Sequence, residues 1–243
     1  MNNTPILSIK NLHKTYGKKP VVKDLSFDVF PGEVVGLIGP NGAGKTTSFY
    51  MTIGLIKPDK GSIFFNEENI TSLPIHKRAL KGLGYLAQEP SIFRSLTVEQ
   101  NINCILETLD LPKKQQKEEL EKLLSELNLT HLRNKNSQAL SGGERRRLEI
   151  TRALVRNPSL LLLDEPFANI DPLAIEDVKK LILHLKEKGI SVLITDHNAR
   201  EIFSIVDRCH LIQDGAVALS GTVKELIANP IARKNYLGEN FTM

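Results

Sequence analysis

Apolar residues fall in two rhythms along this chain, and their order predicts the architecture. Three short stretches are apolar almost without interruption: Val34 to Ile38, Leu160 to Leu163 and Ile190 to Thr195. Runs of that length, bounded by glycine or by acidic residues, suit strands covered on both faces of a parallel sheet. Between them, Lys45 to Ile56 and Pro172 to Lys188 carry apolar residues at helical spacing. The N-terminal rhythm differs. Ile6 to Tyr16 and Val22 to Val29 alternate apolar with polar residues, the pattern of half-exposed strands. Ser62 to Asn66 and Leu83 to Ala87 read as further strands, with a short helix over Pro74 to Lys81 between them. The expectation is an α/β fold with a mainly parallel core sheet and an N-terminal antiparallel β subdomain.

Beyond Gln88 the pattern turns wholly helical. Thr97 to Leu109 and Lys113 to Leu127 have helical spacing and charged outer faces, with Pro112 between them, and a third helix opens at Ser141 and closes at Asn157-Pro158. Residues 89–157 therefore read as an α-helical subdomain inserted into a single domain spanning 1–243. The lysines and glutamates of 113–122, and the arginines Arg145, Arg146, Arg147, Arg152 and Arg156, read as solvated faces. Cys209 to Ile212 and Gly215 to Leu219 return to strands. From Thr222 the chain forms a C-terminal helical tail, 222–243, whose end YLGENFTM is short and polar enough to be mobile or to meet a partner.

The stretch with the most chemistry follows the first buried run. Gly39, Pro40, Asn41, Gly42, Ala43, Gly44, Lys45, Thr46 and Thr47 spell G-x-x-x-x-G-K-T, placed after a strand and at the opening of a helix. Three glycines let the backbone curl with its N–H groups inward, and the helix behind them adds the positive end of its dipole. That concavity suits a polyphosphate, with Lys45 against the β- and γ-phosphates and the Thr46 hydroxyl on Mg²⁺. The second buried strand delivers Asp164-Glu165 at its carboxyl end, where ligands bind in such sheets. One carboxylate suits the Mg²⁺ shell, the other a water attacking the γ-phosphate. Asp196-His197 arrives at the same rim by the same route. Ser141, Gly142 and Gly143 at a helix start form a second anion-receptive end. Tyr16 fits either stacking on a base or simply closing a strand edge.

Bulk properties narrow the classes. A net charge of +4, with 28 acidic residues among 32 basic ones, is too weak to argue for nucleic acid, and no nucleic-acid partner is expected. Cys104 and Cys209 have no metal-ligand or paired spacing, which fits a reducing compartment. The N-terminus lacks a signal-peptide pattern, and no apolar run approaches the ~20 residues of a membrane span. Any membrane role is expected to pass through partners.

With these residues in place, the chain resembles the ATP-binding cassette (ABC) ATPases over essentially its whole length. The resemblance implies a P-loop NTPase of ABC type, with ATP and Mg²⁺ as cofactors. Tyr16 matches the adenine-stacking aromatic, Gly39 to Thr47 the Walker A loop, and Gln88 the Q-loop glutamine, which also reaches the metal. Leu140 to Glu144 matches the signature motif, so Ser141, Gly142, Gly143 and Glu144 are implied to bind nucleotide. Leu160 to Glu165 matches Walker B, with Asp164 as metal ligand and Glu165 as catalytic carboxylate. Asn169 to Asp171 matches the D-loop and His197 the switch histidine. Glu144 departs from the glutamine most often found there. The family implies a head-to-tail dimer of two copies sandwiching ATP between one Walker A loop and the other copy's signature helix.

Within the family, SIFRSLTVEQNI, LSGGERRRLEITRAL, LITDHNARE and YLGENF resemble the cytoplasmic ATPases of lipopolysaccharide-transport systems. That likeness implies a homodimer on the cytoplasmic face of an inner membrane, docked through Phe93 and Arg94 to two polytopic membrane subunits. The nearest alternative is the ATPase of a branched-chain amino acid importer. A soluble DNA-repair or chromosome ABC ATPase fits less well, because Lys45 and Ser141 lie only 96 positions apart with no coiled coil between them. A translation-associated ABC protein would carry two cassettes.

Overall fold

The computed structural model describes residues 4–239 and Phe241. Two sheets share the chain. The first is antiparallel throughout, in the order β2-β1-β4-β5, from β1 (Leu7–Tyr16), β2 (Lys19–Val29), β4 (Lys60–Phe65) and the two-residue β5 (Glu68–Asn69). The second runs β10-β9-β3-β8-β7-β6, built from β3 (Val34–Ile38), β6 (Leu83–Leu86), β7 (Leu160–Asp164), β8 (Ser191–Thr195), β9 (Arg208–Gln213) and β10 (Ala216–Gly221). Its pairs are parallel except β10 with β9. The fold expectation holds, since β3, β7 and β8 are buried at every position.

Alternate residues of the central strands feed two cores. Leu160, Leu162, Val35 and Leu37 face the antiparallel sheet and helix α1 (Lys45–Ile53), where Phe49, Met51 and Ile53 are fully covered. Leu161, Leu163, Val192 and Ile194 face the helices instead. Each such side chain contributes roughly 1.5–3 kcal/mol by leaving water. The helix α1 is shorter than the spacing predicted. It ends at Gly54, in a left-handed C-cap with φ 84°, before Pro58 is reached.

Between β6 and β7 the described chain holds helices alone: α3 (Val98–Leu106), α4 (Lys113–Glu126), α5 (Gly142–Leu154) and two single turns. A Thr97–Gln100 capping box starts α3. The charged outer face of α4 is solvated, as read from the sequence, while Leu120, Leu123 and Leu124 turn inward. The remaining helices are α2 (Ile75–Leu80) ahead of β6, α6 (Pro172–Glu187), α7 (Ala199–Phe203) and α8 (Val223–Ala228). The tail departs from expectation. Tyr236, Leu237 and Phe241 pack against the larger core, with Phe241 edge-on to Phe203 at 5.8 Å. Asn240, Thr242 and Met243 lie outside the described residues.

Candidate active site

The loop between β3 and α1 is shaped by its glycines. Gly44 sits at φ 103°, and a Cβ there would lie 2.8 Å from the Val21 carbonyl oxygen, so a side chain is excluded on two counts. The ammonium of Lys45, the first helical residue, donates to the carbonyls of Gly39 (2.6 Å) and Pro40 (3.0 Å), with its aliphatic stem buried. Burial lowers its pKa, while the carboxylates Glu165, Asp164 and Asp196 oppose that shift. Asn41, Gly42, Lys45, Thr46 and Thr47 line a cleft of about 150 Å³ whose far side is Glu165. Val21, from β2, completes the wall and was not anticipated. Tyr16 ends β1 with its ring half exposed.

Parallel pairing sets the acidic rim. Asp164 and Thr195 are register partners at the carboxyl ends of β7 and β8, so Glu165 and Asp196-His197 emerge side by side. Glu165 takes a left-handed backbone, φ 47°, unusual for a side chain of its size. Its peptide is fixed on both sides: its N–H donates to Thr195 O (2.8 Å), and its carbonyl accepts from Arg146 Nη2 (2.7 Å). Gln88 Nε2 donates to its carboxylate at 2.8 Å, and His197 Nδ1 stands 3.6 Å from the same oxygen. Two residues read from separate motifs thus converge on the carboxylate of a third.

Asp164 is nearly sealed, 1% exposed, and its Oδ2 has no hydrogen-bond partner among the described residues. Burial pushes its pKa up to about 6, the Glu165 charge adds to this, and Arg146 and Lys45 oppose it. An orphaned, desolvated carboxylate oxygen at the mouth of a phosphate loop is a fit for a hard divalent cation. Among the described residues no group of three or more acidic, histidine or cysteine side chains could hold such an ion by itself.

The second helix end is built differently. The Ser141 hydroxyl accepts from Glu144 N (3.2 Å), and the Glu144 carboxylate accepts from Ser141 N (2.8 Å) and from Lys135 Nζ (3.2 Å). Burial opposes ionisation of Glu144, but these donors prevail and its pKa is lowered. Gly143 faces α6, where a Cβ would approach Ala174 Cβ to 2.6 Å, so glycine is needed for α5 and α6 to pack. Asp171 caps α6 through Ala174 N (3.0 Å). Ser141 to Glu144 are not among the residues lining the phosphate-loop cleft. Gly142 opens on a separate hollow with Gln88, Asn169 and Ile170.

One expectation is corrected. None of the five arginines on and after α5 is fully solvated, and Arg146 is only 5% exposed. Its guanidinium binds the carbonyls of Ala87, Glu165 and Pro166 and the carboxylate of Glu149, holding the Gln88 and Glu165 segments together. The available signal was periodicity: Arg146 lies three residues from both Gly143 and Glu149, on the buried stripe of α5. Ile92 is buried in the helical core, whereas Phe93 is 48% exposed and Arg94 is exposed. The Arg152 guanidinium sits 4.7 Å from the Phe93 ring centre and lines an apolar groove of about 270 Å³ with Ile53, Tyr85 and Ile105.

The family model described as ABC transporter matches residues 22–168, well over half of the chain. The chain belongs to the ABC transporter family. Among its relatives, the cassette is 50% identical to a lipopolysaccharide export system ATP-binding protein, LptB, of Acidithiobacillus ferridurans, covering 97% of this chain and 98% of that protein. It is 46% identical to the LptB of Escherichia coli K12, covering 98% and 99%. A solved ABC cassette, MJ1267 in its ADP conformation, superposes with a TM-score of 0.87 at 28% identity, covering 98% of this chain and 100% of that one. The cassette therefore has the ABC-type P-loop fold. No helix among its described residues is long and apolar enough to cross a membrane.

Proposed function

We propose that this cassette is the ATP-hydrolysing subunit of an ABC transporter that exports lipopolysaccharide. The observation that carries the chemistry is the Glu165 carboxylate, which faces the phosphate loop while held by Gln88 at 2.8 Å. The cargo rests on near full-length identity to proteins named for lipopolysaccharide export. Lys45 and the loop N–H groups from Gly39 to Thr47 bind the β- and γ-phosphates, and Tyr16 stacks on the base. Glu165 takes the proton of the attacking water, with His197 and Gln88 orienting the γ-phosphate side. Mg²⁺ would be held by Thr46, Asp164 and Gln88, and supplies charge neutralisation at the phosphates.

Ser141 to Glu144 and Asp171 are read as belonging to the site of a second copy in a head-to-tail dimer, in keeping with their absence from this copy's own cleft. Residues 89–157 form the helical subdomain, and 222–243 the tail, of one ABC domain. Phe93 and Arg94, beside the apolar groove, dock two polytopic membrane subunits at the cytoplasmic face of the inner membrane.

The test is Glu165→Gln in the complex with its membrane subunits. ATP binding should persist while hydrolysis falls on the order of 10²–10⁴-fold. Wild-type turnover would refute the role. Lipopolysaccharide extraction from proteoliposomes, compared with uptake of branched-chain amino acids, tests the cargo.

A further inference from the structure

The parallel ladder brings a hydroxyl to the carboxylate at the phosphate loop. Thr195 ends β8 as the register partner of Asp164, which ends β7. Successive residues of a strand point to opposite faces. Leu163 and Ile194 face the helices while Leu162 and Leu193 lie in the core that α1 shares, so Asp164 and Thr195 both stand on the α1 side, where the phosphate loop enters that helix. Both are 1% exposed. Asp164 Oδ2 and Thr195 Oγ1 are each buried without a hydrogen-bond partner, and apart from the Tyr236 hydroxyl they are the only such side-chain oxygens among the described residues. The neighbouring acids are engaged instead. The Asp196 carboxylate accepts from the N–H groups of Phe167 (3.2 Å) and Asn198 (3.0 Å), and that of Glu165 accepts from Gln88 (2.8 Å). The Thr195 carbonyl is committed too, since it accepts from the Glu165 N–H at 2.8 Å.

Side chains on one face of adjacent strands spring from backbones about 4.8 Å apart. These two oxygens do not bond each other, and a single water at about 2.8 Å from each spans that interval. Mg²⁺ gives up its waters reluctantly, so the groups around it must hold water as well as metal. Carboxylates that hold a metal are themselves hydrogen-bonded by partners outside the coordination shell. We propose that Thr195 is a positioning residue of the divalent-cation site, its hydroxyl and Asp164 Oδ2 together holding one water of the cation's shell. The hydroxyl both donates and accepts, so it suits either orientation of that water. Thr195 then serves both carboxylates of the rim: its main chain fixes Glu165, and its side chain steadies the cation beside Asp164. This inference deepens the ATP-hydrolysis reading above and rests on it.

Thr195→Val in the full chain keeps the shape and removes the hydroxyl, whereas Thr195→Ser keeps the hydroxyl. Titration calorimetry reads ADP binding in EDTA and at increasing Mg²⁺. Thr195→Val should bind ADP within twofold of wild type in EDTA, yet need about tenfold more Mg²⁺ to reach half of the metal's effect, the lower end of what outer partners of a metal site contribute. Thr195→Ser should need no more than twice the wild-type Mg²⁺. Without nucleotide Thr195→Val should melt at or above the wild-type temperature, because the hydroxyl lost has no protein partner. An unchanged Mg²⁺ requirement in Thr195→Val marks the hydroxyl as structural and overturns the proposal, as does an equal loss of ADP affinity with and without Mg²⁺. A wild-type chain that fails to bind ADP, or binds it without regard to Mg²⁺, would instead sink the reading of the site, so the two failures are distinguishable.

Discussion

Asp164→Asn should make the cassette more stable at neutral pH while weakening its response to Mg·ATP. Asp164 is buried at the end of β7 with one oxygen unpaired, and its pKa stands near 6 because of burial first and the Glu165 charge second. In an unfolded chain an aspartate titrates near 3.9. Between about pH 4 and pH 6 the folded state therefore binds more protons than the unfolded state. The stability this group contributes is complete below about pH 4 and is lost as pH rises through about 6. A gap of roughly two units corresponds to about 3 kcal/mol of cost at pH 7.5. Asparagine carries no charge to desolvate, but Lys45 loses one of its counter-charges, so a net gain of about 1–3 kcal/mol is expected. For a chain of this size that is a rise in melting temperature of roughly 2–10 °C. Urea unfolding at pH 7.5 and pH 4.5 reads the effect: the advantage of asparagine should be present at the first and fall to about a third of that at the second. An equal difference at both pH values, or a less stable variant at pH 7.5, would refute the electrostatic account. Titration with Mg·ATP should then stabilise wild type more than the variant, because the cation that relieves Asp164 has less to relieve.

Two further substitutions test the frame around the site. Arg78 is 1% exposed, and its guanidinium donates to four carbonyls, those of Met51, Thr52, Thr71 and Leu73, at 2.6–3.0 Å; Arg78→Met should cost about 2–4 kcal/mol by chemical denaturation, since charge-assisted bonds at the carboxyl end of α1 are lost, and a loss under 1 kcal/mol would contradict this. Phe93→Ala removes a half-exposed ring whose main neighbour is Arg152; at roughly 0.5–1 kcal/mol for an exposed cation–π contact, it should melt within a few degrees of wild type yet fail to co-purify with its membrane subunits. A large fall in melting temperature with assembly intact would make Phe93 a packing residue.

What could be read in advance divides along a physical line. The buried strands were legible because β3, β7 and β8 are apolar at nearly every position, and both cores draw on that run. Lys45, Gln88, Asp164, Glu165 and His197 were legible because motifs of fixed spacing name them, and the sheet brings Gln88 and His197 to Glu165. The lower end of α1 was misjudged by extending the helix toward Pro58, when Gly54 ends it with a left-handed cap. Of Arg146 only its burial was legible, by helical spacing, and Arg78 was not legible at all; the partners of both were hidden for one cause. Each works on main-chain groups of other elements: Arg146 on the carbonyls of Ala87, Glu165 and Pro166, Arg78 on those of α1 and the segment 71–73. Every residue carries a carbonyl, so a pairing of this kind leaves no partner letter and no spacing in the sequence. Residues that face a phosphate leave a motif, because that partner has a fixed shape and charge. The side chains that hold such a motif in place against the backbone are recoverable only from the fold, and in this cassette they include the guanidinium that fixes the peptide of Glu165.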